Sequence, residues 1–175
     1  MSTLFQLQFD PSKVEEIASR YSFKEDVDPL EAGKEIRIGK HTRENIQRIF
    51  EWKTKGRGRS RLDKNSDQDI ADALSLATKG KSDRAAVAVL MGLNGVQVPV
   101  ASAILTAIDP EHFTVIDFRA LEALGVTTAN MTINYYLEYL DACRGLAREN
   151  KVTLRTLDRA LWQWSKERAS HKRNP

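Results

Sequence analysis

Three groups of residues in this chain have types and spacing suited to chemistry. The first is Leu93-Asn94-Gly95-Val96-Gln97, a tight connection between an apolar stretch ending at Leu93 and a second one beginning near Val98. Asn-Gly suits a backbone that must visit positive φ. A helix starting directly after such a turn aims unbonded amides and the positive end of its dipole at any anion in front of it. The second is one carboxylate, Asp117, delivered by the short extended run Phe113-Thr114-Val115-Ile116 to the start of Phe118-Arg119-Ala120-Leu121. There it can cap a helix, or stabilise positive charge that develops beside it. The third is the basic segment Lys53-Thr54-Lys55-Gly56-Arg57-Gly58-Arg59-Ser60-Arg61. Lys53, Lys55, Arg57, Arg59 and Arg61 suit phosphate contacts, each adding affinity and salt dependence, although such a run by itself is equally a solvated loop.

Over about residues 83 to 125 these features resemble the helix-hairpin-helix DNA glycosylase superfamily. The family pattern is an apolar helix, a hairpin of the form Leu-Pro-Gly-Val-Gly, a second helix, and an aspartate after a short apolar run. Here the hairpin reads Leu93-Asn94-Gly95-Val96-Gln97, and Asp117 follows at about the family's spacing. Gln97 stands where the second hairpin glycine usually sits, and Pro99 where bifunctional members carry their Schiff-base lysine. The resemblance implies a double-stranded DNA partner, gripped at a phosphate by the backbone of Asn94, Gly95, Val96, Gln97 and Val98. It also implies an N-glycosylase in which Asp117 stabilises the charge left on the sugar, or orients the attacking water. Proline has no amine, so strand cleavage through a Schiff base at that position is impossible. The implied activity is therefore monofunctional, releasing a flipped, damaged or modified base and leaving an abasic site. Aromatic walls are needed for such a base, and Trp52, which adjoins the basic loop, and Tyr135 are the choices for it. The alternatives are a helix-hairpin-helix protein that binds DNA without removing a base, Asp117 being only a cap, and a helical module whose basic loop contacts an acidic protein or RNA.

The single cysteine, Cys143, excludes an intrachain disulfide and the four-cysteine iron–sulfur cluster of one glycosylase branch. No cofactor and no metal site is expected, and His41 and His112 read as loop or cap residues. A formal charge of +3 is only mildly basic, but it is unevenly placed. The N-terminal part leans acidic, whereas the loop at 53–61 and the tail from Lys166 to Arg173 are strongly basic and would attract a polyanion. No apolar run approaches the roughly 20 residues of a membrane span, and the N-terminus lacks the basic-then-apolar pattern of a secretory signal. The expected place is cytoplasmic, at the nucleoid if bacterial.

The elements that must position these groups are nearly all helical by pattern. The expectation is an all-α fold of about eight helices, forming one domain over 1–175 or two small lobes around a groove, with the helix-hairpin-helix at about 83–108. Phe5, Leu7 and Phe9 alternate with glutamines, as in a short extended segment. Asp10-Pro11 opens a helix to about Tyr21, with Val14, Ile17 and Ala18 as its stripe. Asp28-Pro29 starts a short helix that Gly33 ends. Thr42 caps a helix carrying Ile46, Ile49, Phe50 and Lys53. Ser66 and Asp69 form a capping box ahead of Ile70, Ala73, Leu74 and Ala77, and Gly80 closes that helix in left-handed conformation. Ser82 or Asp83 starts the first hairpin helix. The helix after Asp117 stops at Gly125. An amphipathic helix from Thr128 or Asn130 to Glu149 buries Ile133, Tyr136, Leu137, Leu140 and Ala147. Thr153 begins the last helix, with Leu154, Leu157, Leu161 and Trp164 in period, and 170–175 frays.

Overall fold

A computed structural model describes residues 4–171. Of the end expected to fray, 170–175, Ser170 and His171 lie in the last helix, and the rest, with Lys172 and Arg173 of the basic tail, lies outside the described residues. Every regular element described is a helix: α1 Val14–Ser19, α2 Val27–Arg37, α3 Arg43–Thr54, α4 Arg59–Leu62, α5 Asp67–Lys79, α6 Asp83–Met91, α7 Val98–Ile108, α8 Phe118–Ala123, α9 Ile133–Glu149 and α10 Leu154–His171. The fold is all-α. It has ten α-helices among the described residues rather than about eight; the single-turn α4 is unexpected, and α2 runs through Gly33 to Arg37. None is long and apolar enough to cross a membrane.

Short polar side chains fix where most helices begin. The hydroxyls of Thr42, Ser66, Ser82 and Thr132 each accept from the amide three residues on, satisfying donors that the helix itself cannot. At Ser66 the box is reciprocal, since the Asp69 carboxylate accepts from the Ser66 amide at 2.9 Å. The hydroxyl and amide of Ser66 hold Asp69 below the ordinary aspartate value. Two beginnings differ from expectation. The 11–21 segment is a 3-10 turn, Pro11–Lys13, running into a short α1, and α9 starts at Ile133, where Thr132 supplies the cap that 128–131 lack.

The chain divides into two compact units, Ser22–Phe113 with α2 to α7, and a second built from the described residues up to Tyr21 and from Thr114 onward. In the first, α7 is the core: all its residues except Pro99 are buried, and α2, α3 and α6 pack on it. Its two buried hydroxyls are satisfied within the helix, Ser102 donating to the Pro99 carbonyl at 2.8 Å and Thr106 to the Ser102 carbonyl at 2.7 Å. Gly33 does not end a helix. It lies inside α2 and is buried, and a Cβ there would fall 1.9 Å from the Ala107 carbonyl oxygen. The two backbones touch, and only glycine permits it. Gly80 is likewise not left-handed; its φ is −56° and ψ 134°, so the chain leaves α5 extended toward Ser82.

In the second unit α10 packs against α1, α8 and α9. The N-terminal segment is extended, as its alternation suggests: the Gln6 and Gln8 amides donate to the Leu124 and Ala123 carbonyls at 3.0 and 2.9 Å. Phe5 is buried edge-on to Tyr135 and Tyr139, with centroids 5.6 and 5.8 Å away. The buried face of α9 is Tyr136, Tyr139, Leu140, Cys143 and Ala147, with the expected Ile133 and Leu137 only half-buried at its flank.

Gly33→Ala should destabilise the protein by about 3 kcal/mol or more, because the intruding methyl meets backbone that cannot rotate away; chemical denaturation measures this. Ser66→Ala should reduce stability mainly above about pH 4. Asp69 has a lowered folded value, so its contribution is present above the unfolded value and fades as pH falls through the folded one. The gap between wild-type and variant denaturation midpoints should therefore narrow in acid, down to what the lost hydroxyl cap contributes.

Candidate functional site

The α6–α7 turn is anchored by its apolar residues and shaped by its glycine. Leu93 and Val96 are buried, and the Val96 amide donates to the Leu93 carbonyl at 3.2 Å. Between them Gly95 takes a φ of 84°, the left-handed conformation expected of Asn-Gly. A Cβ on Gly95 would lie 3.0 Å from the Leu62 nitrogen and 3.1 Å from the Arg61 Cβ. The end of α4 is thus seated on the turn, and any side chain at Gly95 would be crowded there as well as strained in dihedral.

Asn65, buried just beyond α4, ties the two segments together. Its Oδ1 accepts from the Asn94 amide at 2.8 Å and from the Asn94 side-chain nitrogen at 3.2 Å. Its own Nδ2 donates to the Asn94 carbonyl at 3.0 Å and to the Leu62 carbonyl at 2.8 Å. One amide side chain therefore holds both backbone groups of Asn94 and the last turn of α4. Gln97, exposed, precedes α7, and its carbonyl accepts from the Val100 and Ala101 amides, both at 2.9 Å. The amides of Gly95 and Gln97 donate no hydrogen bond among the described residues.

The five cations chosen from the basic segment do not share one situation. Lys53 lies half-buried on α3, and Lys55 ends that helix in left-handed conformation with φ 53°. Gly56 and Gly58, with φ of 80° and 82°, then bend the chain into α4. Arg57 donates to the Thr54 carbonyl at 3.1 Å. Arg59 is paired with Asp63 at 3.2 Å and Glu51 at 3.8 Å. Arg61 is exposed, and its Cβ borders Gly95. Of the five, the structure therefore brings Arg61 against Gly95 of the turn. Trp52 is half-buried and lines an open depression of about 550 Å³ with Glu25, Asp28, Glu44 and Glu51, alongside Arg48, Lys55 and Arg59. That lining is mixed in charge.

In the second unit, Asp117 caps α8. One carboxylate oxygen accepts from the Arg119 and Ala120 amides, both at 3.0 Å. The segment that delivers it, Thr114 to Ile116, is buried, and its carbonyls are met by two tyrosines of α9. Tyr136 donates to the Thr114 carbonyl at 3.0 Å and Tyr139 to that of Val115 at 2.8 Å. Burial, with Cys143 beside it and the negative charges of Asp158 and Asp117 nearby, pushes the Tyr139 phenol well above its usual value. The Cys143 thiol is also raised by burial. Both stay neutral at physiological pH, so Tyr139 remains a donor. Tyr135 is half-buried against Phe5, 5.6 Å between centroids, in that same unit. His112 pairs through Nε2 with Asp83 at 2.9 Å, at the start of α6.

Asn65 and Tyr139 are the positioning residues that sequence reasoning overlooked. Asn65 precedes a capping serine and looks like an ordinary turn residue. Tyr139 lies at helical spacing from Tyr136 and Cys143, a signal that was present. Asn65→Ala should cost about 1–3 kcal/mol, since it leaves buried groups of Asn94 and Leu62 without partners. It should also speed amide exchange at Gly95 and Val96 ahead of global unfolding, as hydrogen exchange would record. Tyr139→Phe should cost a similar amount by orphaning the Val115 carbonyl, and the shift in thermal midpoint reads it.

Compared with protein-family models, with curated proteins and with solved structures, the chain finds no match in any of the three.

Proposed function

We propose that the protein binds duplex DNA through the α6–α7 turn and Arg61, and that it is a monofunctional N-glycosylase with Asp117 as its catalytic carboxylate. The observation that carries the DNA reading is the seating of α4 on the turn, which brings the stem of the exposed Arg61 against Gly95, in a turn where the amides of Gly95 and Gln97 donate no hydrogen bond among the described residues. Backbone donors at a helix start together with a cation suit a phosphate, and a phosphate contact positions a duplex without reading its sequence. Gln97 adds a side-chain amide that can donate to the same group.

The glycosylase part rests on the resemblance over 83–125 and on how Asp117 is held. Its carboxylate is half-exposed and fixed by two amides, and the backbone before it is fixed by two tyrosines. A carboxylate so placed is pre-organised to stabilise charge. The bond between C1′ and the base nitrogen breaks with its electron pair leaving on the base. Positive charge develops on the deoxyribose, opposed by Asp117, and water adds at C1′ while its proton passes to solvent or the departing base. The products are the free base and an abasic sugar. A second reading is favoured by the same two amide bonds, which make Asp117 a complete helix cap without any catalysis. The protein then binds DNA and leaves the base in place.

Two measurements separate these. Arg61→Ala should weaken duplex binding and lower the slope of log affinity against log salt by about one. Abasic-site formation should be assayed on duplexes carrying deaminated, alkylated, oxidised and hypermodified bases. Alkali-dependent strand breakage is expected with wild type and is lost in Asp117→Asn, which keeps duplex affinity because asparagine is itself a good N-cap. Full activity in Asp117→Asn would falsify the assignment of that residue. Binding without release on any substrate favours the non-catalytic reading.

A further inference from the structure

Immediately after Asp117, Phe118 is 70% exposed at the first position of α8. A lone exposed apolar residue is ordinary, but this one belongs to a cluster. The Arg119 guanidinium carbon stands 5.0 Å from the Phe118 ring centroid and 5.3 Å from that of Trp162 on α10. On the same helix one turn later, the Lys166 nitrogen is 4.8 Å from the Trp162 ring. Arg119 is steadied by the Ser165 hydroxyl at 3.5 Å, which itself donates to Glu122 at 2.6 Å. Trp162 is braced edge-on by Tyr21, centroids 5.3 Å apart. Ring and cation therefore alternate as Phe118, Arg119, Trp162, Lys166 across α8 and α10 within one unit.

We infer that this cluster is a stacking platform for an unpaired stretch of DNA, with a base on the outer face of Phe118 and phosphates near Arg119 and Lys166. Aromatic faces bind any base by stacking, while adjacent cations follow the sugar–phosphate chain. A duplex cannot use such a surface in the same way, because its bases already stack on one another and offer only their edges. The two cations match a polyanion, and the flat exposed ring matches a base that has left its stack. The inference does not depend on the duplex reading above, since its residues all belong to the unit of α8 and α10, whereas Arg61 and the α6–α7 turn belong to the other.

The test titrates the full-length protein with oligothymidylate, following tryptophan fluorescence, and in parallel with a fully paired duplex. Wild type should bind the single strand with quenching. Phe118→Ala should weaken that binding by at least about fivefold, Phe118→Trp should retain it, and both variants should bind the duplex like wild type. Because Phe118 is exposed, the variants should unfold at the wild-type temperature. Unchanged single-strand affinity in Phe118→Ala, or no single-strand binding by wild type, overturns the platform. Loss of duplex binding alone, with the Phe118 effect intact, overturns the duplex reading and leaves the platform standing.

Discussion

The contact between α2 and α7 at Gly33 is the constraint on which the Ser22–Phe113 unit depends. With no side chain on Gly33, two helix backbones meet directly, and α7 can be covered closely enough to bury its whole length apart from Pro99. A helix buried on all sides must be apolar throughout and must meet its own polar needs, which is why Ser102 and Thr106 turn their hydroxyls back to carbonyls of α7. It also gives the helix a fixed start. A turn leading into a helix held this firmly inherits its position, to which the buried Leu93 and Val96 and the Asn94 bond to Asn65 add.

The two units fix their candidate groups by the same device, a distant polar side chain that satisfies buried backbone. In one, Asn65 takes both the amide and the carbonyl of Asn94, twenty-nine residues away in sequence. In the other, Tyr136 and Tyr139 reach the carbonyls of Thr114 and Val115. A short connection between helices has no ladder of its own, and its polar groups are costly to bury unpaired. A side-chain partner removes that cost and at the same time selects one conformation of the loop. Positioning and stability are one interaction in both places.

What the sequence disclosed follows from this division. Signals that act within a few residues were legible: the caps Thr42, Ser66, Ser82 and Asp117, the stripes Val14-Ile17-Ala18 and Ile70-Ala73-Leu74-Ala77, and the positive φ at Gly95. Signals whose meaning lies in a distant partner were not. Gly33 looks like a stop because glycine weakens a helix, and only the presence of Ala107 across from it shows that it is a contact. Gly80 looks like a left-handed cap, but the chain turns there toward Ser82 and needs no such residue. On α9 the pattern picks out Tyr136, Leu140 and Ala147 but puts Ile133 and Leu137 where Tyr139 and Cys143 are buried, because the hydroxyls of Tyr136 and Tyr139 find partners only on a segment more than twenty residues earlier. The mutual approach of α4 and the α6–α7 turn was invisible for the same reason.

Asp117 is where the two kinds of information meet. Its capping role follows from its neighbours alone, and the bonds to Arg119 and Ala120 fulfil it. Capping and charge stabilisation do not compete, because both are served by a side-chain oxygen held in a fixed place. A side chain bonded to two amides has already lost the rotational freedom that a mobile acid would lose when charge develops beside it. The buried, neutral Tyr139 phenol of α9, bonded to the Val115 carbonyl two residues before Asp117, holds that backbone without introducing a second charge. The arrangement therefore holds one negative charge still, at low added entropic cost, at the edge of a unit whose neighbouring surface is aromatic and cationic. That surface is built of alternating rings and cations, Phe118, Arg119, Trp162 and Lys166, and its make-up does not depend on what chemistry Asp117 performs.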